Sequence, residues 1–168
     1  MQHTHYTTNF KQHQFPITVV CENVTNAPNI GSLFRACDAF GIETLIFCGS
    51  DIPLGRKMTK TSRATEKVVN YQVVDSALEV VNQLKKENYA IIALEITTNS
   101  LPLNQCIFNT NQPIALVIGD ENFGISEAIL KLSDTIAHID MFGQNSSMNV
   151  VQATSIALYE ITKQLLIK

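Results

Sequence analysis

The sequence predicts an α/β fold in which a mostly parallel sheet carries helices on both faces. Short segments rich in β-branched and apolar residues alternate along the chain with segments of helical spacing. Several strand segments, such as residues 114–118, are apolar along their whole length, as expected of strands that are covered on both sides. With 168 residues, 45% of them hydrophobic, the chain is long enough for one domain with a sizeable core.

The elements follow one another as strands and helices in near alternation. Strands are predicted at residues 17–22, 44–48, 68–74, 89–96, 114–118 and 135–139, and helices at 30–40, 76–88, 126–132 and 148–167. The first helix is expected to start with Asn29 as its N-cap and to stop at Gly41. Residues 49–65 are expected to form a long loop, and residues 97–113 are expected to be mostly loop. A polar arm at residues 1–15 precedes a single predicted domain at residues 16–168.

The charge of the chain is unevenly distributed. A net charge of −3 argues against broad, non-specific binding to nucleic acid. One segment nevertheless holds five of the twelve basic residues within twelve positions: Arg56, Lys57, Lys60, Arg63 and Lys67. This segment is either a solvated loop or a strip that contacts phosphates and so positions RNA without recognising its sequence.

Composition also bears on location and on metals. No apolar run is long enough to span a membrane, and the N-terminus lacks the apolar middle of a signal peptide, so we expect a cytoplasmic protein without a membrane partner. No metal site is predicted, because the histidines of the arm have no acidic or cysteine partner; they are His3, His5 and His13. The cysteines form no C-x-x-C pair and are expected to be small buried hydrophobes in a reducing compartment; they are Cys21, Cys37, Cys48 and Cys106.

Familiar nucleotide-binding and hydrolase motifs are missing. The first strand is not followed by G-x-G-x-x-G. The segment from Gly49 to Lys57 departs from a P-loop, because it has one residue too many between its glycines and Arg56 where lysine is required. Neither G-x-S-x-G nor H-E-x-x-H occurs, so these enzyme classes are not supported.

The first candidate site lies around the start of the first helix, from Asn26 to Arg35. If the apolar residues of this helix face the core, Arg35 lies on the opposite face beside small residues such as Gly31. Another surface could then approach the guanidinium closely. The alternative is a surface arginine paired with Asp38, three residues further on.

The second candidate is the turn from Gly119 to Gly124, where a buried strand runs into a helix. Ligands of open α/β sheets bind at the carboxyl ends of strands, and Glu121 places a carboxylate there. The alternative is a tight strand-to-helix connection that needs glycine only for its backbone geometry.

The third candidate, residues 139–150, is another strand, loop and helix start. It is dense in small polar residues, namely Asn145, Ser146, Ser147 and Asn149. Ser146 or Ser147 could serve as the cap of the last helix, but a cap needs only one of these side chains.

Taken together, the three segments resemble the motifs of the SpoU/TrmH family of RNA ribose methyltransferases, within the SPOUT superfamily, in their order and spacing. The match covers roughly residues 17–161. The patterns N-x-G-x-x-x-R, G-x-E-x-x-G and S-[LM]-N-V correspond to Asn29, Gly31 and Arg35; to Gly119, Glu121 and Gly124; and to Ser147, Met148, Asn149 and Val150. Asp120 stands where many relatives have asparagine, a difference that we expect to be harmless.

The resemblance implies a deep C-terminal trefoil knot and S-adenosylmethionine as the cofactor. By position, the cofactor contacts would be Leu94, Gly119, Ile139 and Met148. The catalytic residues would be Arg35, Asn29, Glu121, Ser147 and Asn149. In this arrangement Arg35 grips a substrate phosphate and positions the 2′-hydroxyl, with a possible role as proton acceptor, and Asn29 orients Arg35.

The resemblance also implies partners. The family is usually dimeric, with the last helix at the interface, and its small single-domain members often act on tRNA. We therefore expect a homodimer that methylates tRNA in preference to rRNA and contacts the RNA through Arg56, Lys57, Lys60 and Arg63. The alternatives are an rRNA methyltransferase, a non-catalytic RNA-binding dimer with this fold, and a base methyltransferase of a related knotted family.

Overall fold

A parallel sheet forms the centre of the protein. The computed structural model describes residues 8, 10–108 and 111–166. Its strands are β1 (Phe15–Glu22), β2 (Ile42–Cys48), β3 (Tyr71–Val74), β4 (Ala90–Leu94), β5 (Leu101–Pro102), β6 (Ile114–Ile118) and β7 (Thr135–His138). They lie in the order β3-β2-β1-β6-β4-β7-β5, and every neighbouring pair is parallel.

Helices cover both faces of this sheet. They are α1 (Ala27–Ala39), α2 (Arg56–Ser62), α3 (Ala77–Lys86), α4 (Glu127–Leu132) and α5 (Val150–Leu166). Because side chains alternate along a strand, Val19 of β1 packs in the cluster with α1 and α5, whereas Val20 packs in the cluster with α3 and α4. The predicted α/β fold, with helices on both faces of a mostly parallel sheet, is confirmed. The trefoil knot stays a prediction from the resemblance.

The prediction of a loop at residues 49–65 is wrong, because these residues include helix α2. A 3-10 turn follows at Thr65–Lys67. Helix α2 lacks an apolar face in the sequence, since only Met58 and Ser62 are buried. It is held by docking on α1, where Thr61 Oγ1 donates to the carbonyl of Pro28 at 3.0 Å. A helix that depends on such a contact has no hydrophobic period for the sequence to reveal. The segment at residues 97–113, predicted to be mostly loop, contains the two-residue strand β5 and a 3-10 turn at Leu103–Gln105.

Two helix caps also differ from the predictions. Helix α1 starts two residues before Asn29, because Asn26 is its N-cap and accepts from the Asn29 backbone N–H at 3.1 Å. Pro28 fits in this first turn, where its missing N–H costs no hydrogen bond. Asn149 Oδ1 accepts from the backbone N–H of Val151 at 2.9 Å, so Asn149, rather than either serine before it, caps α5.

The ends of the chain and its cysteines complete the description. Strand β1 begins at Phe15, which is buried and was placed in the predicted arm. The rest of that arm lies mostly outside the described residues, as do His3, His5 and the predicted end of the last helix at Ile167. The four cysteines are buried and free, as the sequence predicts. Among the described helices, none combines the length and apolar character needed to cross a membrane.

Candidate active site

A cavity of about 660 Å³ opens at the carboxyl ends of β4, β6 and β7. Parallel strands end at the same edge of a sheet, so the loops that follow these three strands surround one space. All four predicted cofactor contacts line it: Leu94, Gly119, Ile139 and Met148. Three of the predicted catalytic residues line it as well: Glu121, Ser147 and Asn149.

One residue from each motif meets in a hydrogen-bonded cluster beside the cavity. Asn29 Nδ2 donates to Glu121 Oε1 at 3.0 Å, and Asn149 Nδ2 donates to the same oxygen at 2.9 Å. Asn149 Nδ2 also donates to Asn29 Oδ1 at 3.1 Å. The two amides thus hold one carboxylate oxygen from two sides, although Asn29 and Asn149 are 120 residues apart.

Arg35 stands apart from this cluster. It is exposed on α1 and does not line the cavity. The structure shows no bond from Asn29 to Arg35, because the Asn29 side chain is engaged by Glu121 and Asn149. The alternative pair with Asp38 is not formed either, and within the described part of the chain the guanidinium makes no hydrogen bond or ion pair. It is therefore free to bind a phosphate.

The surface that approaches α1 closely at Gly31 is helix α2 of the same chain. A Cβ at Gly31 would collide with Thr61 Oγ1 and the Met58 carbonyl oxygen, both of α2. The small residue therefore serves to dock the basic helix on α1. Gly31 and Arg35 are four residues apart and share a face of α1, so α2 packs one helical turn from the guanidinium.

The basic residues of α2 and of the residue after it are exposed, and none of them forms an ion pair within the described residues. They are Arg56, Lys57, Lys60 and Arg63. The nearby acid, Glu66, accepts a hydrogen bond from Ser62, and this bond lowers the pKa of the Glu66 carboxyl below its ordinary value. The ionised Glu66 offsets one positive charge beside Lys67, and the four exposed cations still leave the segment with a net positive charge.

The lining of the cavity fits a cationic cofactor. It holds the carboxylates of Glu95, Asp120 and Glu121, and no lysine, arginine or histidine among the described residues that form it. S-Adenosylmethionine carries a sulfonium and an ammonium against one carboxylate, so its net charge is positive and an acidic wall is favourable. The volume of the cavity falls in the range of roughly 300–1,000 Å³ that is usual for ligand sites. A Cβ at Gly119 would lie 2.6 Å from the Ile125 nitrogen, so only glycine fits the turn here.

Sequence reasoning missed two carboxylates at this edge. Glu95 follows β4 and lines the cavity, and Glu22 ends β1 and is 9% exposed. Glu95 Oε2 accepts from the Ile125 backbone N–H at 3.0 Å, and Glu22 Oε2 accepts from that of Ser126 at 2.8 Å. An acidic residue at the end of a largely apolar strand is the feature that could have identified both.

The exposed side of α5 is partly apolar. Ile156 and Tyr159 are exposed there, and Phe142, in the loop before the helix, is 97% exposed. These three residues line a shallow cavity of about 200 Å³ on this side of the protein.

Known proteins resemble this chain over most of its length. The tRNA (guanosine(18)-2′-O)-methyltransferase of Aquifex aeolicus is 27% identical over 154 residues, which are 92% of this chain and 72% of that protein. The 23S rRNA (guanosine-2′-O-)-methyltransferase RlmB of Blochmanniella floridana is 30% identical over 162 residues, which are 92% of this chain and 60% of that protein. Both relatives are thus longer than the region they share with this chain.

A solved structure and a family model agree with these relatives. The SpoU methyltransferase AviRb from Streptomyces viridochromogenes, in complex with the cofactor AdoMet, superposes with a TM-score of 0.79 at 25% identity, covering 94% of this chain and 63% of that one. The model of the SpoU rRNA Methylase family matches residues 16–159. The resemblance predicted from the three motifs is therefore confirmed, and the chain belongs to the SpoU rRNA methylase family.

Proposed function

We propose that this chain is an RNA methyltransferase that uses S-adenosylmethionine to methylate a ribose 2′-oxygen. One observation carries the proposal: a single cavity is lined by the four predicted cofactor contacts and by Glu121, Ser147 and Asn149. The two relatives described above are named as ribose 2′-O-methyltransferases of tRNA and of 23S rRNA. The fit of a cationic cofactor to the acidic lining supports the same activity.

The residues of the chain have to orient a weak nucleophile. When bound, the cofactor supplies a methyl group that is activated by a positively charged sulfur. A ribose hydroxyl is a poor nucleophile near neutral pH, so its position and the removal of its proton determine the rate. Arg35 grips a substrate phosphate and positions this hydroxyl. A guanidinium is a poor general base, so positioning the hydroxyl is the principal role that we assign to Arg35.

Glu121, Asn29 and Asn149 shape the site around the hydroxyl. The two amides bind Glu121 Oε1, which leaves the second carboxylate oxygen without a protein partner among the described residues. We assign that oxygen to a polar group of the substrate or cofactor. Ser147 lines the cavity beside Asn149, where it contributes a further hydroxyl.

The decisive experiment is the replacement Arg35→Ala. We expect methyl transfer to RNA to be lost while S-adenosylmethionine still binds in a calorimetric titration, because Arg35 lies outside the cavity lining. Lys86→Ala, which removes an exposed cation of α3, is the matched control and should leave activity unchanged. Near-normal turnover by Arg35→Ala would refute the assignment. Digestion of the labelled product to nucleosides separates ribose methylation from base methylation.

The proposed substrate is tRNA in preference to rRNA. The free cations of α2 support binding to an RNA backbone, and tRNA and rRNA are each the substrate named for one relative. Mass mapping of modified nucleotides in RNA from cells with and without the protein would decide between them. A non-catalytic RNA-binding dimer is the competing function. Failure of the wild-type protein to bind S-adenosylmethionine in a calorimetric titration would favour it.

We further propose a cytoplasmic homodimer that associates through α5. The exposed apolar side chains Ile156, Tyr159 and Phe142 support an interface on this side. The four free, buried cysteines are consistent with a reducing compartment. Ile156→Asp should yield a monomer in light scattering after gel filtration. Leu78→Asp on α3, which likewise replaces a partly exposed aliphatic side chain, should not. A dimer that survives Ile156→Asp would place the interface elsewhere.

A further inference from the structure

Glu95 touches the three segments that surround the cavity. Its backbone N–H donates to the Ala137 carbonyl of β7 at 2.9 Å, and the residue itself directly follows β4. Its Oε2 accepts from the Ile125 backbone N–H, just after the glycine-bounded turn that follows β6, and its Oε1 accepts from the Ile96 N–H at 3.0 Å. One side chain therefore joins the loop after β4 to the turn after β6.

The turn after β6 is built around this carboxylate. Gly124 has φ +65°, and a Cβ at this position would collide with Glu95 Oε2. The requirement for glycine is therefore partly a requirement for space beside Glu95. Asp120 fixes the other half of the turn, because its Oδ1 accepts from the Asn122 N–H at 2.8 Å. Glu22 repeats the arrangement from β1 at Ser126, the next residue after Ile125.

We infer that Glu95 is a positioning residue for cofactor binding. Through its hydrogen bond to Ile125 it holds the turn from Gly119 to Gly124 in the conformation that forms the cavity wall. This inference rests on the proposed function, because it takes the cavity to be the S-adenosylmethionine site. The reach of an acceptor oxygen to the Ile125 N–H matters more here than the negative charge of Glu95. Both oxygens of Glu95 already accept from backbone N–H groups, and Asp120 and Glu121 keep the wall acidic when Glu95 is replaced.

Two substitutions separate reach from charge. Glu95→Gln removes the charge and keeps one acceptor oxygen at the same distance from the backbone. This oxygen can accept from the Ile125 N–H, while the amide NH2 replaces the acceptor of the exposed Ile96 N–H. Glu95→Asp keeps the charge but withdraws both oxygens by one methylene. We expect Glu95→Gln to bind S-adenosylmethionine within about threefold of wild type. Glu95→Asp should raise the Kd by about 10-fold, because the Ile125 N–H in the wall is left without a hydrogen-bond acceptor. Glu127→Gln and Glu127→Asp alter an exposed carboxylate two residues beyond Ile125 and should change nothing.

Amide hydrogen exchange of the cofactor-free protein provides a second readout. The Ile125 amide should exchange about 10-fold faster in Glu95→Asp and at the wild-type rate in Glu95→Gln. The reverse order of Kd values, with Gln weak and Asp normal, would show that charge acts directly and would overturn the inference. Wild-type affinity of both variants would overturn it as well. Either outcome leaves the proposed function standing, which fails instead if the wild-type protein does not bind S-adenosylmethionine.

Discussion

The close contact between α1 and α2 at Gly31 predicts that a methyl group added at this position lowers the stability of the protein. In Gly31→Ala the new methyl group would collide with the Met58 carbonyl oxygen and Thr61 Oγ1, and it would lie 2.8 Å from the Ser62 nitrogen. Two of these atoms belong to backbone, so they cannot rotate away, and α2 must shift as a unit. The shift also breaks the hydrogen bond from Thr61 to Pro28.

The opposing contributions have comparable sizes. Overpacking costs about 1–3 kcal/mol, and the lost hydrogen bond costs about 1 kcal/mol. Alanine regains up to about 1 kcal/mol over glycine within a helix. We therefore expect Gly31→Ala to lower the free energy of unfolding by about 1–3 kcal/mol. For a domain of this length the Tm should fall by about 2–12 °C.

Thermal unfolding followed by circular dichroism measures this change. Gly143→Ala is the matched control, because nothing lies within 4 Å of its added Cβ, and it should not lower the Tm. A double-mutant cycle with Thr61→Ala sharpens the test. This change should cost about 1 kcal/mol in wild type, whereas in Gly31→Ala it should cost nothing or restore part of the stability, because the bond is already broken and the change removes one of the colliding atoms. A Tm of Gly31→Ala within about 1 °C of wild type would refute the packing argument.

Three further predictions concern the site, the core and the RNA contact. Asn149→Ser keeps a side-chain oxygen that can cap α5 but loses the amide donor to Glu121, whereas a carboxylate at this position would repel Glu121. In thermal unfolding Asn149→Ser should therefore retain more of the cap's ~0.5–2 kcal/mol than Asn149→Ala, while a methyl-transfer assay should find both inactive. Burial raises the pKa of Cys37 from its ordinary value of 9.0 to about 12, so the unfolded chain loses this proton at lower pH than the folded chain. The free energy of unfolding from urea titrations should therefore fall as pH rises from about 9 to about 12, and less steeply in Cys37→Ala. Changing Arg56, Lys57 and Lys60 together to alanine should weaken RNA binding in filter assays and reduce the salt slope by about 2–3, with S-adenosylmethionine affinity unchanged; an intact slope would exclude α2 as the contact.

Most of the sheet was predictable because its elements carry their pattern locally. The apolar run of β6 and the helical spacing of α1 record burial residue by residue, and these patterns survive without knowledge of the neighbours. Helix α2 was not predictable in this way, since its position depends on the absence of a side chain at Gly31, 25 residues before its first residue. The start of α1 was misplaced because two asparagines, Asn26 and Asn29, both suit the role of N-cap.

The candidate site divides along the same line. The sequence is enough to identify which residues form the site, because Asn29, Glu121 and Asn149 occur in three motifs whose order and spacing are specific in combination. Only the tertiary structure decided how they act: Asn29 binds Glu121 and Asn149 rather than Arg35, and Glu95 joins the walls of the cavity. The physical reason is that a hydrogen bond between residues 28 to 120 positions apart depends on the order of strands in the sheet, which no local pattern records.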